Sequence, residues 1–216
     1  MLSLNAGSGC HAPQRPVGHD GCVSRALPDY VTHYYVAGRP PFRNVSELTD
    51  PEWEVIRHEL ESERFAGTSS RVFGRRYLEL RRATEAKLRD QFVAAGGAPE
   101  RTSPHYFVLG SSMWFRGLAH EMHELVIPLA VLPDSATSMT IPDSMTSMGL
   151  GAEFGLPVEN KPHHGRVFRL SEIPEAVEQF GLPEDEPGDY AGYQHRSFEH
   201  YAEVQVWSDA ILNYRS

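Results

Sequence analysis

Cysteine is scarce in this 216-residue chain: Cys10 and Cys22 are its only two, and both fall in the first 27 residues. That excludes a disulfide scaffold and leaves no core thiol to act as a nucleophile. No apolar run approaches the ~18 residues a membrane span needs. No basic segment followed by an apolar stretch marks a secretory signal at the start. The chain also lacks a Gly-rich phosphate loop and a Gly-x-Ser-x-Gly elbow. His120 and His123 stand three apart, whereas a zinc-protease helix needs four. Positive charge is in short supply, with 20 Lys and Arg against 29 Asp and Glu, a net of −9. Such a chain does not coat nucleic acid through bulk charge, although a local contact stays open. What remains is ordinary globular composition, 40% hydrophobic and 23% charged, long enough to bury one core. The expectation is one cytoplasmic domain with no membrane partner.

The organisation follows from the punctuation. Residues 1–27 are rich in Gly, Ser, Pro and His and read as a disordered leader, with residues 28–216 as the folded domain. Cys10-His11 and His19…Cys22 match no common zinc finger, and His163-His164 sit in a Pro-rich loop; no metal is expected at either place. Val31–Val36 is β-branched and aromatic, hence a strand. Asp50-Pro51 opens a helix through Glu63, with Asp50 as its cap. A second helix spans Arg75–Ala95, stops at Gly96-Gly97 and carries a stripe of Tyr77, Leu80, Thr84, Leu88 and Phe92. Strands follow at Ser103–Leu109, His123–Val131, Ser138–Ile141 and Gly165–Leu170. Pro142–Pro162 reads as a long loop. A short helix ends at Phe180, and Tyr201–Trp207 is the last strand. Helices come early and strands late, which predicts an α+β fold. Charge is uneven as well: seven basic residues from Arg71 to Arg89 face only Glu79 and Glu85. The run is either a solvated helix face or a phosphate-holding edge.

Three positions offer chemistry. Period-two alternation puts Glu203 with Tyr201, Gln205 and Trp207 on one face of the last strand, and Ala202, Val204 and Val206 on the other. A glutamate there is solvent-facing or held in a cleft; general burial statistics favour solvent. Arg81 falls within about 40° of the centre of the helix stripe at 100° per residue. An arginine on an apolar face needs an anion, either an internal carboxylate or a phosphate. In Pro104-His-Tyr-Phe-Val-Leu-Gly-Ser-Ser-Met-Trp-Phe115, a strand ends in a turn that sets hydroxyls and backbone N–H groups beside aromatic rings. That setting suits a planar ring bearing an amide.

Taken in order, these segments resemble the ADP-ribosyltransferase superfamily, most closely the DarT family of toxins that modify bases in DNA. The resemblance runs over about residues 31–209 and rests on the His-bearing strand, the Arg-bearing helix, Pro-His-Tyr-Phe…Ser-Ser-Met-Trp-Phe and the late Tyr-Ala-Glu-Val-Gln-Val strand. It implies a split antiparallel β-sheet core with helices in the N-terminal half, and NAD as co-substrate. It implies Glu203 and Arg81 (or, as second choice, Arg43) as catalytic residues. His33, Tyr106 and Ser111 would bind the cofactor, and Gln205 and Arg82 the acceptor. The activity implied is a pentosyl-type glycosyl transfer of ADP-ribose to a nucleobase or nucleic acid, in a toxin- or defence-like protein with an antitoxin partner. NAD hydrolysis or another small-nucleotide reaction on the same fold is an alternative, as is a non-catalytic nucleotide-binding or interaction domain. The chain departs from the toxin pattern at its opening, Thr32-His33-Tyr34-Tyr35, and at Leu109-Gly110, where an arginine is expected.

Overall fold

The computed structural model describes residues 26–69, 73–154, 159–186 and 199–214. The expected leader up to residue 25, and Cys10 and Cys22 with it, lies outside the described residues. Six strands form one antiparallel sheet: β1 (Tyr30–Val36), β2 (His105–Leu109), β3 (Met122–Pro128), β4 (Thr137–Thr140), β5 (Phe168–Arg169) and β6 (Glu203–Val206). Their order is β3-β1-β2-β6-β4-β5. The helices are α1 (Asp50–Phe65), α2 (Tyr77–Ala94), α3 (Met113–Arg116), α4 (Ser144–Ser147) and α5 (Ile173–Phe180). This is an α+β arrangement, and among the described residues no helix is long and apolar enough to cross a membrane.

Most elements start where their residues dictate. On α1 the cap is Thr49 rather than Asp50. Its hydroxyl accepts from the Glu52 N–H while the Glu52 carboxylate answers the Thr49 N–H, a reciprocal capping box that Asp50 would forgo. The stretch expected as a long loop holds α4, capped by Asp143. The strand expected over Gly165–Leu170 shrinks to two residues, because only Ser138 and Met139 are paired to it.

The two sheet faces carry different chemistry. Val31, Phe107, Leu109, Met139, Val204 and Val206 pack with Ile127, Phe168, Ile173 and Val177 into the main apolar core, on the side of α5. Opposite partners in an antiparallel pair point to one face. The register Tyr106↔Gln205, Val108↔Glu203, Ser138↔Gln205 and Thr140↔Glu203 therefore builds a largely polar second face. Helix α2 covers it, with Phe92 stacked on Trp207 at 6.3 Å and Leu88 buried beside them. Helix α1 packs Trp53 and Leu60 against Leu48 and Leu78 farther out.

Strand β1 pairs with β3 along all seven residues but with β2 only at Val31↔Leu109 and Thr32↔Val108. Beyond Thr32 the two strands part. His33 spans the gap: its Nδ1 lies 2.8 Å from the Tyr106 carbonyl, and the Phe42 N–H donates to its Nε2 at 2.9 Å. Because a carbonyl only accepts, Nδ1 carries the proton.

Candidate active site

A cleft of about 400 Å³ opens where β1 and β2 part, lined by His33, Tyr35, Phe42, Tyr77, Arg81 and Tyr106 among others. Arg81 forms part of its wall. The residue lies on the face of α2 that meets the sheet, so its side chain is only 9% exposed. Its guanidinium carbon sits 3.8 Å from the centre of the Tyr106 ring, a cation–π contact strengthened by the loss of water. Its Nη2 lies 3.9 Å from Glu203 Oε2, its Nε 3.4 Å from Glu85 Oε1, and its Nη1 donates to Ser144 Oγ at 3.3 Å. Burial works against this charge, but the Tyr106 phenol and the Glu203 and Glu85 carboxylates outweigh it. The guanidinium is held protonated beyond its ordinary range.

Glu85 is the hub that the sequence reading passed over. One of its oxygens accepts from Tyr106 Oη at 2.7 Å, Ser46 Oγ at 2.7 Å and Asn44 Nδ2 at 3.2 Å. Several donors on one carboxylate offset the cost of taking it out of water. Glu85 stands four residues after Arg81, so the wheel that singles out the arginine places both on one face. The signal was there, hidden in a tally of charge.

Glu203 is 4% exposed, which overturns the solvent-facing reading: α2 covers the face that alternation leaves polar. Gln205 is fully buried. It donates from Nε2 to Thr140 Oγ1 at 3.1 Å and Glu203 Oε1 at 3.2 Å, while its Oε1 accepts from Ser138 Oγ at 2.8 Å. Expected to touch the acceptor, Gln205 is hydrogen-bonded here to Glu203, Thr140 and Ser138. Arg82, expected to bind the acceptor as well, is engaged within the chain. It donates to the Ser46 and Leu48 carbonyls and pairs with Asp50 at 2.8 Å, tying α2 to the start of α1.

The remaining expected residues divide. Tyr106 lines the cleft, with one ring face under Arg81 and its hydroxyl given to Glu85. His33 lines it too, with both ring nitrogens hydrogen-bonded to protein backbone, so that it holds the gap. Burial, reinforced by neighbouring His105 and only partly countered by the Tyr106 hydrogen bond, lowers its pKa to about 4. It stays neutral at physiological pH. Ser111 lies elsewhere, in a second cavity of about 240 Å³ with Tyr30, Leu182, Asp185 and Ala202; Val108 and Tyr201 border both spaces. Arg43 lines the main cleft. Arg71 lies outside the described residues; of the described part of the basic stretch, Arg76 pairs with Glu79 and Glu153, Lys87 donates to the Met148 carbonyl and Arg89 to that of Arg101.

Asp143 completes the charge pattern from behind. Its Oδ1 accepts from the Met145 and Thr146 N–H groups, while Oδ2 is buried with no hydrogen-bond partner. Burial first, and the Glu203 charge second, raise its pKa to about 7 against the pull of the Thr146 bonds. A carboxyl raised in the folded state favours folding at low pH. That contribution is fully present below the ordinary value near 3.8 and disappears as pH climbs through 7. Asp143→Asn keeps the Oδ1 cap without the charge. Between pH 5 and pH 8 the wild type should lose about 2–3 kcal/mol that the variant retains. Urea unfolding at the two pH values measures this; parallel losses in both proteins contradict it.

Fold and site together define the class: an α+β protein with a buried Arg–Glu–Tyr cluster between one helix and one sheet face, whose Arg81 and Tyr106 border a cleft of about 400 Å³ while its two glutamates lie outside the lining. No family model, curated protein or solved structure matches the chain.

Proposed function

We propose that the protein is an NAD-dependent ADP-ribosyltransferase whose acceptor is a nucleobase, free or in nucleic acid. The observation that carries this reading is the stacking of Arg81 on Tyr106 in the wall of the cleft, with the buried Glu203 carboxylate 3.9 Å from the guanidinium and reached from the cleft only once Arg81 moves. Breaking the glycosidic bond between nicotinamide and C1′ of the adjoining ribose leaves an oxocarbenium-like centre. A fixed carboxylate at that point stabilises the developing charge. Glu203 also takes the proton from the acceptor as its nitrogen or oxygen bonds C1′, and nicotinamide departs with the electron pair of the broken bond. Arg81, drawn from its carboxylates by a stronger anion, clamps the pyrophosphate. The Tyr106 ring that it uncovers takes the nicotinamide. Gln205 holds Glu203, and Glu85 holds the Tyr106 hydroxyl.

The intramolecular pairing of the basic stretch favours a second reading, NAD hydrolysis or transfer to a small nucleotide, since few of those cations are left for a phosphate backbone. Incubation with NAD carrying a label on the adenylate separates the two. Label on DNA or RNA supports macromolecular transfer, and free ADP-ribose supports hydrolysis. No nicotinamide release with any of these acceptors rejects both.

A further inference from the structure

Away from the cleft, two imidazoles of the loop between α4 and β5 meet a carboxylate from the segment before β6, and we infer that His163, His164 and Glu199 form a binding site for a divalent transition metal, zinc above others. One nitrogen from each histidine and one oxygen of Glu199 all lie within 4.8 Å of one another. His163 is 7% exposed, and both of its ring nitrogens are buried with no hydrogen-bond partner. Leaving a buried donor or acceptor unmatched costs about 1–3 kcal/mol, and of the two rings packed on His163, that of Phe180 has no polar group and that of His164 makes no hydrogen bond to it.

His164 is already set for ligation. Its Nδ1 lies 2.6 Å from the Glu159 carbonyl, so Nδ1 carries the proton and Nε2 presents its lone pair. That is the outer contact that fixes a metal-binding tautomer. The same Nε2 is 3.4 Å from Glu199 Oε1, close to the roughly 3.4 Å separation of two ligands on a tetrahedral zinc with bonds of 2.0–2.2 Å. Lys161 grips the other Glu199 oxygen at 2.6 Å, on the side away from the His164 contact. Two nitrogens and a single oxygen fit zinc and exclude calcium and magnesium, which require mostly oxygen. The loop itself is anchored, with the Gly165 N–H donating to the Ser147 carbonyl at 2.6 Å. Three protein ligands leave a fourth position for water. Because Glu199 precedes Glu203 by four residues, the bound ion clamps this loop to the entry of β6.

The Lys161 pairing alone accounts for the position of Glu199 but leaves His163 unexplained, and the test exploits that difference. Metal-free full-length protein is titrated with cobalt(II) chloride, reading its visible absorption, and with zinc chloride by calorimetry. One ion per chain is expected, with zinc raising the Tm. His163→Ala and His164→Ala should weaken binding by more than about tenfold, the least expected for loss even of an outer contact. Glu199→Gln, a milder change, should weaken it while the circular dichroism spectrum stays native. Lys161→Gln should tighten it, by removing a cation from beside the ligand carboxylate. Absence of binding overturns the inference. So does binding that survives the histidine changes but disappears in a Cys10→Ser/Cys22→Ser variant, which places the ion on the N-terminal segment.

Discussion

Replacing Glu203 with glutamine is expected to slow nicotinamide release from NAD by roughly 100- to 10,000-fold, the range for removing a general base or a charge-stabilising group. The substitution is close to isosteric. An amide oxygen in place of Oε1 still accepts from Gln205 Nε2, now 3.2 Å away, so the strand and its neighbours need not move. Loss of charge is then the main change. Chromatographic measurement of nicotinamide at saturating NAD reads it directly, and an unaltered melting temperature separates lost chemistry from lost structure. A Glu203→Gln enzyme as fast as wild type sinks the transferase reading.

Arg81→Leu should be the most destabilising single change at the site. It keeps an apolar stem on α2 but strands Glu85 and Glu203, 2% and 4% exposed, without their shared cation. Breaking a buried pair by removing one partner costs about 3–5 kcal/mol. At about 2–4 °C per kcal/mol for a chain of this size, the Tm should fall by roughly 6–20 °C. The double variant Arg81→Leu/Glu203→Met removes one stranded charge and should recover part of the loss. That non-additivity identifies electrostatics rather than packing as the cause. A single-variant loss below about 1 kcal/mol contradicts the burial of the cluster.

The sequence made some of this legible for definite reasons. Strands β1, β2 and β6 are dense in β-branched and aromatic residues, and α2 shows a clean stripe ending at glycines, so local pattern was enough. Arg81 emerged from its angle on that stripe, and Glu85 was available from the same arithmetic. The exposure of Glu203 was not readable, because alternation assigns a side chain to a face without saying what covers that face. The part played by His33 was hidden too: its partner carbonyl on Tyr106 lies 73 residues away. Arg82 and Gln205 look like ligand-binding residues when read alone. Their partners, Asp50 for one and Ser138 and Thr140 for the other, come together only in the folded chain. Competition between neighbouring caps, Thr49 against Asp50, is settled by the Glu52 carboxylate reaching back.

The parting of β1 from β2 bears on the energetics of recognition. The gap is framed by two sheet strands and strutted by His33, a neutral ring fixed at both nitrogens, so folding itself shapes the space. A ligand entering there has little backbone to order, and its affinity is not eroded by the entropy of closing loops. On the proposed reading, the adjustment falls instead on one side chain, Arg81, which would trade internal carboxylates for an incoming anion. Selectivity for phosphorylated ligands would then be a matter of exchange between anions, because a neutral molecule has nothing to offer the guanidinium and would leave it paired to Glu85 and Glu203.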